Sequence, residues 1–317
     1  MSLSRQLQKK LYQMNKFGQS KHKAKKEEKE RCQKVGEKWL SSRVDGIYSY
    51  KTLQAYKQTV REFSKWIKEN YGDVKKADEV TRELQIEYLK YRQNCDLSAW
   101  TIKKDLAALN KVFNDKITSS DADLNKRSYK DIKRSRLEVE SDKRYNPENY
   151  KDQILISKVC GTRRESISGG DYQLKKDDFT FYKYNSDGRL YINVIEKNGK
   201  YRHGIVLKGY EEKITNIIGK ENIEIRNKHY TKKEFEEKYK NSNADYLFQK
   251  YTKLIDNHAF RREYSQNLYN EIAKDRGENL IKGNTYKGFD KSILSQVSLN
   301  IGHQEGRFET LSNNYMI

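Results

Sequence analysis

Four short segments in the second half of the chain concentrate side chains suited to chemistry on an anionic group. They are Gly161-Thr162-Arg163-Arg164-Glu165-Ser166-Ile167, Glu196-Lys197-Asn198-Gly199-Lys200-Tyr201-Arg202, His258-Ala259-Phe260-Arg261, and Ile301-Gly302-His303 followed by Tyr315. Guanidiniums hold phosphate-like oxyanions through a planar fork of donors. Imidazoles exchange protons near neutrality, and a phenol with a pKa near ~10 becomes a useful nucleophile only beside a base or in a strongly cationic pocket. No segment is specific alone. Arg163 by itself fits a surface arginine, Lys197 beside Asn-Gly fits an exposed turn lysine, and Tyr315 is one of 24 tyrosines. Their order along the chain carries the signal.

Composition narrows the partner. The 317 residues carry 65 Lys+Arg against 45 Asp+Glu, a formal charge of +20, which calls for a polyanion because basic residues that neutralise phosphates release counterions. With 10 Phe, 3 Trp and 24 Tyr the chain has material for packed cores, so disorder throughout is excluded. No run approaches the ~18 apolar residues of a membrane span, and the start MSLSRQLQKK lacks the apolar region of a signal peptide. The expectation is a cytosolic protein. Cys32, Cys95 and Cys160 are odd in number and lack CxxC spacing, so neither a disulfide framework nor a metal site is expected, and no cofactor.

Elements that could position the four segments follow from periodicity. Residues 1–45 are Lys-rich with a stripe at Cys32, Val35, Trp39 and Leu40, and read as a basic helical arm. Leu53, Tyr56, Val60, Phe63, Trp66 and Ile67 recur at helical steps up to Gly72. A second helix follows Thr81, with Leu84, Tyr88 and Tyr91. A third starts at Ser98 and turns Ile102, Leu106, Leu109 and Phe113 to one face, with Lys103 and Lys104 off it. Residues 46–118 therefore predict a small helical domain, and the polar stretch before Pro147, the single proline, predicts a linker at 119–148. In the remaining domain, 149–317, a buried helix over Ile154–Cys160 runs into Gly161. Strand patterns follow at Phe179–Tyr184, Leu190–Ile195 and Tyr201–Leu207, with Asn198-Gly199 as a hairpin turn. From Tyr210 onward the chain reads as mostly helical, with loops near Gly219, Asn241–Asn243 and Gly283–Gly288.

An Arg after a Gly, a Lys on a β-hairpin, a His-x-x-Arg, a Gly-His and a following Tyr, in that order, resemble the catalytic domain of the tyrosine recombinase (phage integrase) family. The helical half resembles the core-binding domain that precedes it. The resemblance spans residues 46–317 and implies a mainly α fold with a small antiparallel sheet (α+β), the catalytic domain holding a three-stranded sheet and the two domains clamping duplex DNA. It implies that Arg163, Lys197, His258, Arg261 and His303 surround the scissile phosphate, that Lys197 protonates the leaving 5′-oxygen, and that Tyr315 is the nucleophile. Lys103, Lys104, Arg164, Lys200, Arg202 and Arg262 are then the expected DNA contacts.

The sequence departs from the family pattern at three points. Ser166 stands three places after Arg163, where the family usually has an acid, while Glu165 comes one place early, which leaves Arg164 as an alternative to Arg163. Glu211–Lys240 is a charged, insertion-like stretch. Tyr315 lies twelve residues after His303, whereas members commonly place the nucleophile about nine on, where this chain has Ser312. The implied activity is site-specific recombination through a 3′-phosphotyrosine, without metal or ATP, by a mobile-element integrase. It would be a free monomer that assembles as a homo-tetramer on double-stranded DNA, in the cytoplasm and nucleoid of a bacterium. A type IB topoisomerase-like enzyme and a catalytically silent DNA-binding relative stay open beside it.

Overall fold

The computed structural model describes residues 1–39, 44–128, 143–167, 169, 171–183, 188–196, 199–277 and 283–316. The chain divides into two compact units, Met1–Ile132 and Lys133–Ile317.

The first unit is helical: α1 (Leu3–Gln13), α2 (Lys21–Lys34), α3 (Tyr50–Asn70), α4 (Arg82–Asn94) and α5 (Ala99–Val112). Four of these helices start where a hydroxyl can take an orphan backbone N–H. Ser20, Ser49, Thr81 and Ser98 accept from Lys23, Thr52, Leu84 and Thr101. The apolar stripe of α3 buries Leu53, Val60, Phe63, Trp66 and Ile67. The Phe63 ring meets Tyr88 edge-on at 5.0 Å and Phe113 at 5.8 Å, which locks α3 to α4 and to the end of α5. α1 lies inside the stretch that the sequence reads as an arm, yet Leu3, Leu7 and Leu11 sit one turn apart and are buried in this same core. At ~1.5–3 kcal/mol for each buried leucine, α1 is an integral part of the unit. Lys10 adds a hydrogen bond to the Val112 carbonyl at 3.1 Å. α2 buries only Cys32.

A charged cluster runs from one buried acid to the surface of this unit. Asp105 is fully buried, accepts from the Thr59 hydroxyl at 2.7 Å and pairs with Arg92 at 3.2 Å and Lys104 at 3.2 Å. Arg92 also reaches Glu62 at 2.8 Å.

The second unit contains α6 (Lys151–Cys160), α7 (Arg164–Ile167), β1 (Phe179–Tyr182), β2 (Leu190–Glu196), β3 (Lys200–Ile205), α8 (Glu211–Ile218), β4 (Glu224–Arg226), α9 (Lys232–Asn241), α10 (Asn257–Arg276), β5 (Thr285–Tyr286), β6 (Phe289–Asp290), α11 (Lys291–Asn300) and α12 (Phe308–Tyr315). The sheet has four strands in the order β3-β2-β1-β4 rather than the expected three. β1, β2 and β3 are antiparallel neighbours, while β4 pairs parallel to β1 (Thr180↔Glu224) and comes from the charged stretch that showed no strand pattern. β5 and β6 form a two-residue hairpin where the sequence predicted only a loop. β2 is buried along its whole length, which is why it is mostly apolar, with Leu190-Tyr191-Ile192 and Val194-Ile195 on either side of Asn193. α6, α10 and α11 supply the rest of the core around Val159, Tyr264, Leu268, Ile293 and Val297. The result is a mainly α fold with small sheets.

Candidate active site

Each segment singled out by the sequence sits at the end of a secondary-structure element of the second unit. α6 stops at Gly161, whose φ of +56° is left-handed and whose missing Cβ leaves room for the Tyr264 ring. The chain then turns through Thr162 and Arg163 into α7. Asp256 caps α10 by accepting from the His258 and Ala259 N–H groups, both at 3.1 Å, which puts His258 in the first turn and Arg261 one turn further in. α11 ends at Asn300, and the Gly302 and His303 N–H groups fold back onto the Leu299 (2.8 Å) and Ser298 (2.9 Å) carbonyls. Gly302, at φ +70°, passes so close that a Cβ would lie 3.2 Å from both the Arg202 Cδ and a Glu196 oxygen. α12 then carries Tyr315 back to the site.

These placements bring Arg163, Arg164, Asn257, His258, Arg261 and Tyr315 to one cleft of about 490 Å³. The Tyr315 ring lies near-parallel to His258 at 6.2 Å and edge-on to His303 at 5.7 Å, and Tyr315 is close enough to Arg261 to interact with its guanidinium electrostatically. Gln266 fixes the Tyr315 carbonyl at 3.1 Å. The twelve residues from His303 to Tyr315 are thus taken up by a turn and the eight-residue α12. Ser312, at the more usual spacing, is buried and does not line the cleft.

Arg261 is 1% exposed. Its Nη1 donates to the Gly161 carbonyl at 2.6 Å and to Glu196 at 3.0 Å, and its Nη2 donates to the Ile301 carbonyl. Arg163 pairs through Nε with the other Glu196 oxygen at 3.2 Å and keeps a quarter of its side chain exposed to the cleft. Burial alone would raise the Glu196 pKa, but the guanidiniums of Arg261, Arg202 and Arg163 hold it down at about 2, so the carboxylate stays charged. Burial and the adjacent Arg261 and Arg163 push His303 down to about 4. Desolvation and Arg261 lower His258 as well. Both imidazoles are therefore neutral at pH 7 and free to accept.

Other residues fall elsewhere. Lys197 lies outside the described residues. Arg202, expected at DNA, is instead 4% exposed and fully engaged: it donates to Glu196 (3.1 Å) and to the carbonyls of Asn300 (2.7 Å), Cys160 (3.2 Å) and Gly161 (3.2 Å). That corrects its role to an internal brace between the ends of α6 and α11. Arg262, also expected at DNA, is buried as well. Lys200 and Arg164 are exposed. Lys103 is half-buried on α5, and Lys104 pairs with Asp105. Sequence reasoning missed Glu196. The available signal was an acid closing a strand that is mostly apolar.

The arrangement can hold one tetrahedral anion between two guanidiniums, present a phenol to it, and take up the phenolic proton on a neutral imidazole. Among the described residues no group of three His, Cys, Asp or Glu could hold a metal ion, and no helix is long and apolar enough to cross a membrane.

Comparison with known proteins adds a family. Residues 43–118 match the family described as phage integrase, N-terminal SAM-like domain. No curated protein sequence matches the chain. Among solved structures, the chain is similar to XerH site-specific recombinase bound to difH substrate in a pre-cleavage complex, at 14% identity and a TM-score of 0.46, covering 99% of this chain and 92% of that one. It is similar also to the Tn1549 transposon integrase in complex with transposon right end DNA, at 12% identity and a TM-score of 0.37, covering 92% and 94%.

Proposed function

We propose that this chain, whose residues 43–118 match the phage integrase N-terminal SAM-like domain, is a site-specific recombinase of the tyrosine recombinase family that cuts and rejoins duplex DNA through a 3′-phosphotyrosine. The observation that carries this reading is the convergence of Arg163, His258, Arg261 and Tyr315 on one cleft, with His303 against the Tyr315 ring.

Arg163 and Arg261 bind the non-bridging oxygens of one phosphodiester and stabilise the charge that gathers on them in the pentacoordinate state. The incoming phosphate offsets the guanidinium charge that depresses His258 and His303, so both become better proton acceptors when substrate arrives. The Tyr315 oxygen attacks phosphorus while its proton passes to an imidazole. The bond from phosphorus to the 5′-oxygen breaks, and the leaving oxygen takes a proton, a role that falls to Lys197. The phosphotyrosine keeps the bond energy, so a second 5′-hydroxyl can reverse the step without ATP. Tyr315 belongs to the same unit as the arginines, which supports cleavage within one protomer. The basic composition supplies the sequence-independent part of DNA affinity. Exchange between two duplexes requires a tetramer, and integration or excision of a mobile element is the biological reading that fits best.

The test is incubation with nicked duplexes drawn from the DNA that flanks its gene, followed by a denaturing gel. Wild type should give a covalent complex and Tyr315→Phe none, with DNA binding retained. Binding without any adduct in wild type would leave a silent DNA-binding protein. Relaxation of plasmids without a specific site would indicate a topoisomerase-like enzyme.

A further inference from the structure

Three guanidiniums converge on one carboxylate at the centre of the second unit. Arg163, Arg202 and Arg261 meet Glu196 at 3.2, 3.1 and 3.0 Å, and the Glu196 side chain is 1% exposed. Among the described residues, the ion pairs of all three arginines go to this one acid. Two of the arginines also clasp backbone. Arg202 holds the carbonyls of Cys160, Gly161 and Asn300, and Arg261 those of Gly161 and Ile301. These carbonyls close α6 and α11, where the helix dipole is negative and favours a cation. The next residues along the chain are the ones that must meet substrate: Arg163 two places after Gly161, and His303 two places after Ile301.

We infer that Glu196 is the positioning residue of this site, the counter-charge that lets three mutually repelling guanidiniums share one small volume and so aims Arg163 and Arg261 at a single phosphate. This rests on the recombinase reading. One carboxylate against three cations leaves a surplus of two positive charges, which suits an arriving phosphodiester. Without Glu196 the arginines would repel one another, and Arg163, the least buried of the three, would swing away first. Gly302 is part of the same device, because a side chain there would press on the Glu196 oxygen and on Arg202.

The experiment compares Glu196→Gln, Glu196→Asp and Glu196→Ala in the full chain. Glu196→Gln should bind duplex DNA within about threefold of wild type while single-turnover adduct formation falls on the order of 100-fold, and Glu196→Asp should recover part of that loss. The carboxylate also raises the His303 pKa against the lowering effects of burial, Arg261, Arg163 and Lys200. The acidic limb of the Glu196→Gln rate profile should therefore move to lower pH, a shift that mere loss of folded protein does not produce. A Glu196→Gln protein with the wild-type rate and profile overturns the inference. So does a rate loss that only tracks the unfolded fraction, with Glu196→Asp no better. If wild type forms no adduct on any duplex, the recombinase reading falls, and thermal unfolding of Glu196→Ala with and without sulfate then decides. Restoration of its Tm by the anion supports the counter-charge role, and no restoration overturns it.

Discussion

Both units hold a charged cluster around one buried carboxylate, and the two clusters close differently. In the first, Asp105 and Glu62 face Arg92 and Lys104, two acids against two bases, with the Thr59 hydroxyl taking a further lone pair. The account is neutral, so the cluster needs nothing from outside. In the second, Glu196 alone faces Arg163, Arg202 and Arg261. The positive surplus is held by backbone carbonyls at Arg202 and Arg261, while Arg163 stays a quarter exposed. The neutral cluster fixes helix packing, and the positive one, on the recombinase reading, is where the phosphate binds.

The comparison yields graded expectations. Arg261→Ala should be the most severe, removing the proposed phosphate donor and a clasp on Gly161 and Ile301 together. Adduct formation should fall by ~10³ or more and stability by about 3–5 kcal/mol, read by gel assay and urea unfolding. Arg163→Ala, at a partly exposed position, should lose about 100-fold in adduct formation with little change in unfolding midpoint. Equal stability losses in the two variants would erase the distinction between clasp and donor.

Asp105→Ala should cost about 2–3 kcal/mol, discounted because Arg92 and Lys104 are partly solvated, with adduct formation per bound DNA unchanged. A fall in that rate would show that the neutral cluster also serves chemistry.

Acid should separate the units further. Four of the five histidines lie in the second unit, and burial holds His303 and His229 at about 4. Their folded pKa values lie below ~6.5, so the unfolded state binds more protons. The stability they permit is complete above that value and is lost as pH falls from ~6.5 toward 4. Asp178, which burial raises to about 7, works in the opposite sense: its contribution is present in acid and is lost as pH rises from ~4 to 7. The histidines should outweigh it, being two against one over that interval. Trp39, Trp66 and Trp100 all belong to the first unit. Urea unfolding by tryptophan fluorescence should therefore change less between pH 7 and 5 than unfolding by circular dichroism. Smallest of all, Lys103→Ala with Lys104→Ala should lower the salt slope of DNA binding by about 1 to 2, toward 1 because Lys104 is already committed to Asp105.

Local pattern reveals these elements unequally. α3 and α5 are legible because their buried residues repeat every three or four positions, and the β2–β3 hairpin because Asn-Gly separates two β-rich runs. β4 is only three half-exposed residues long and exists through a parallel pairing with β1, more than 40 residues away in sequence, so no local period betrays it. At the site, the types and order of Arg163, His258, Arg261, His303 and Tyr315 were visible, whereas which arginines would be internal was not. Arg202 and Arg262 look like any other cations until the fold buries them. Glu196 was hidden for the same reason, since its partner Arg261 is 65 residues distant.

α12 has one more consequence. An isolated helix of eight residues is unstable in water, so Phe308–Tyr315 stays helical only through Leu311, Tyr315 and Met316 in the core. On the proposed mechanism, Tyr315 is therefore presented by a local folding equilibrium, and its availability can be raised or lowered by a methylene at Leu311 without touching the groups of the cleft. Hydrogen exchange in these few amides would measure how often this helix opens.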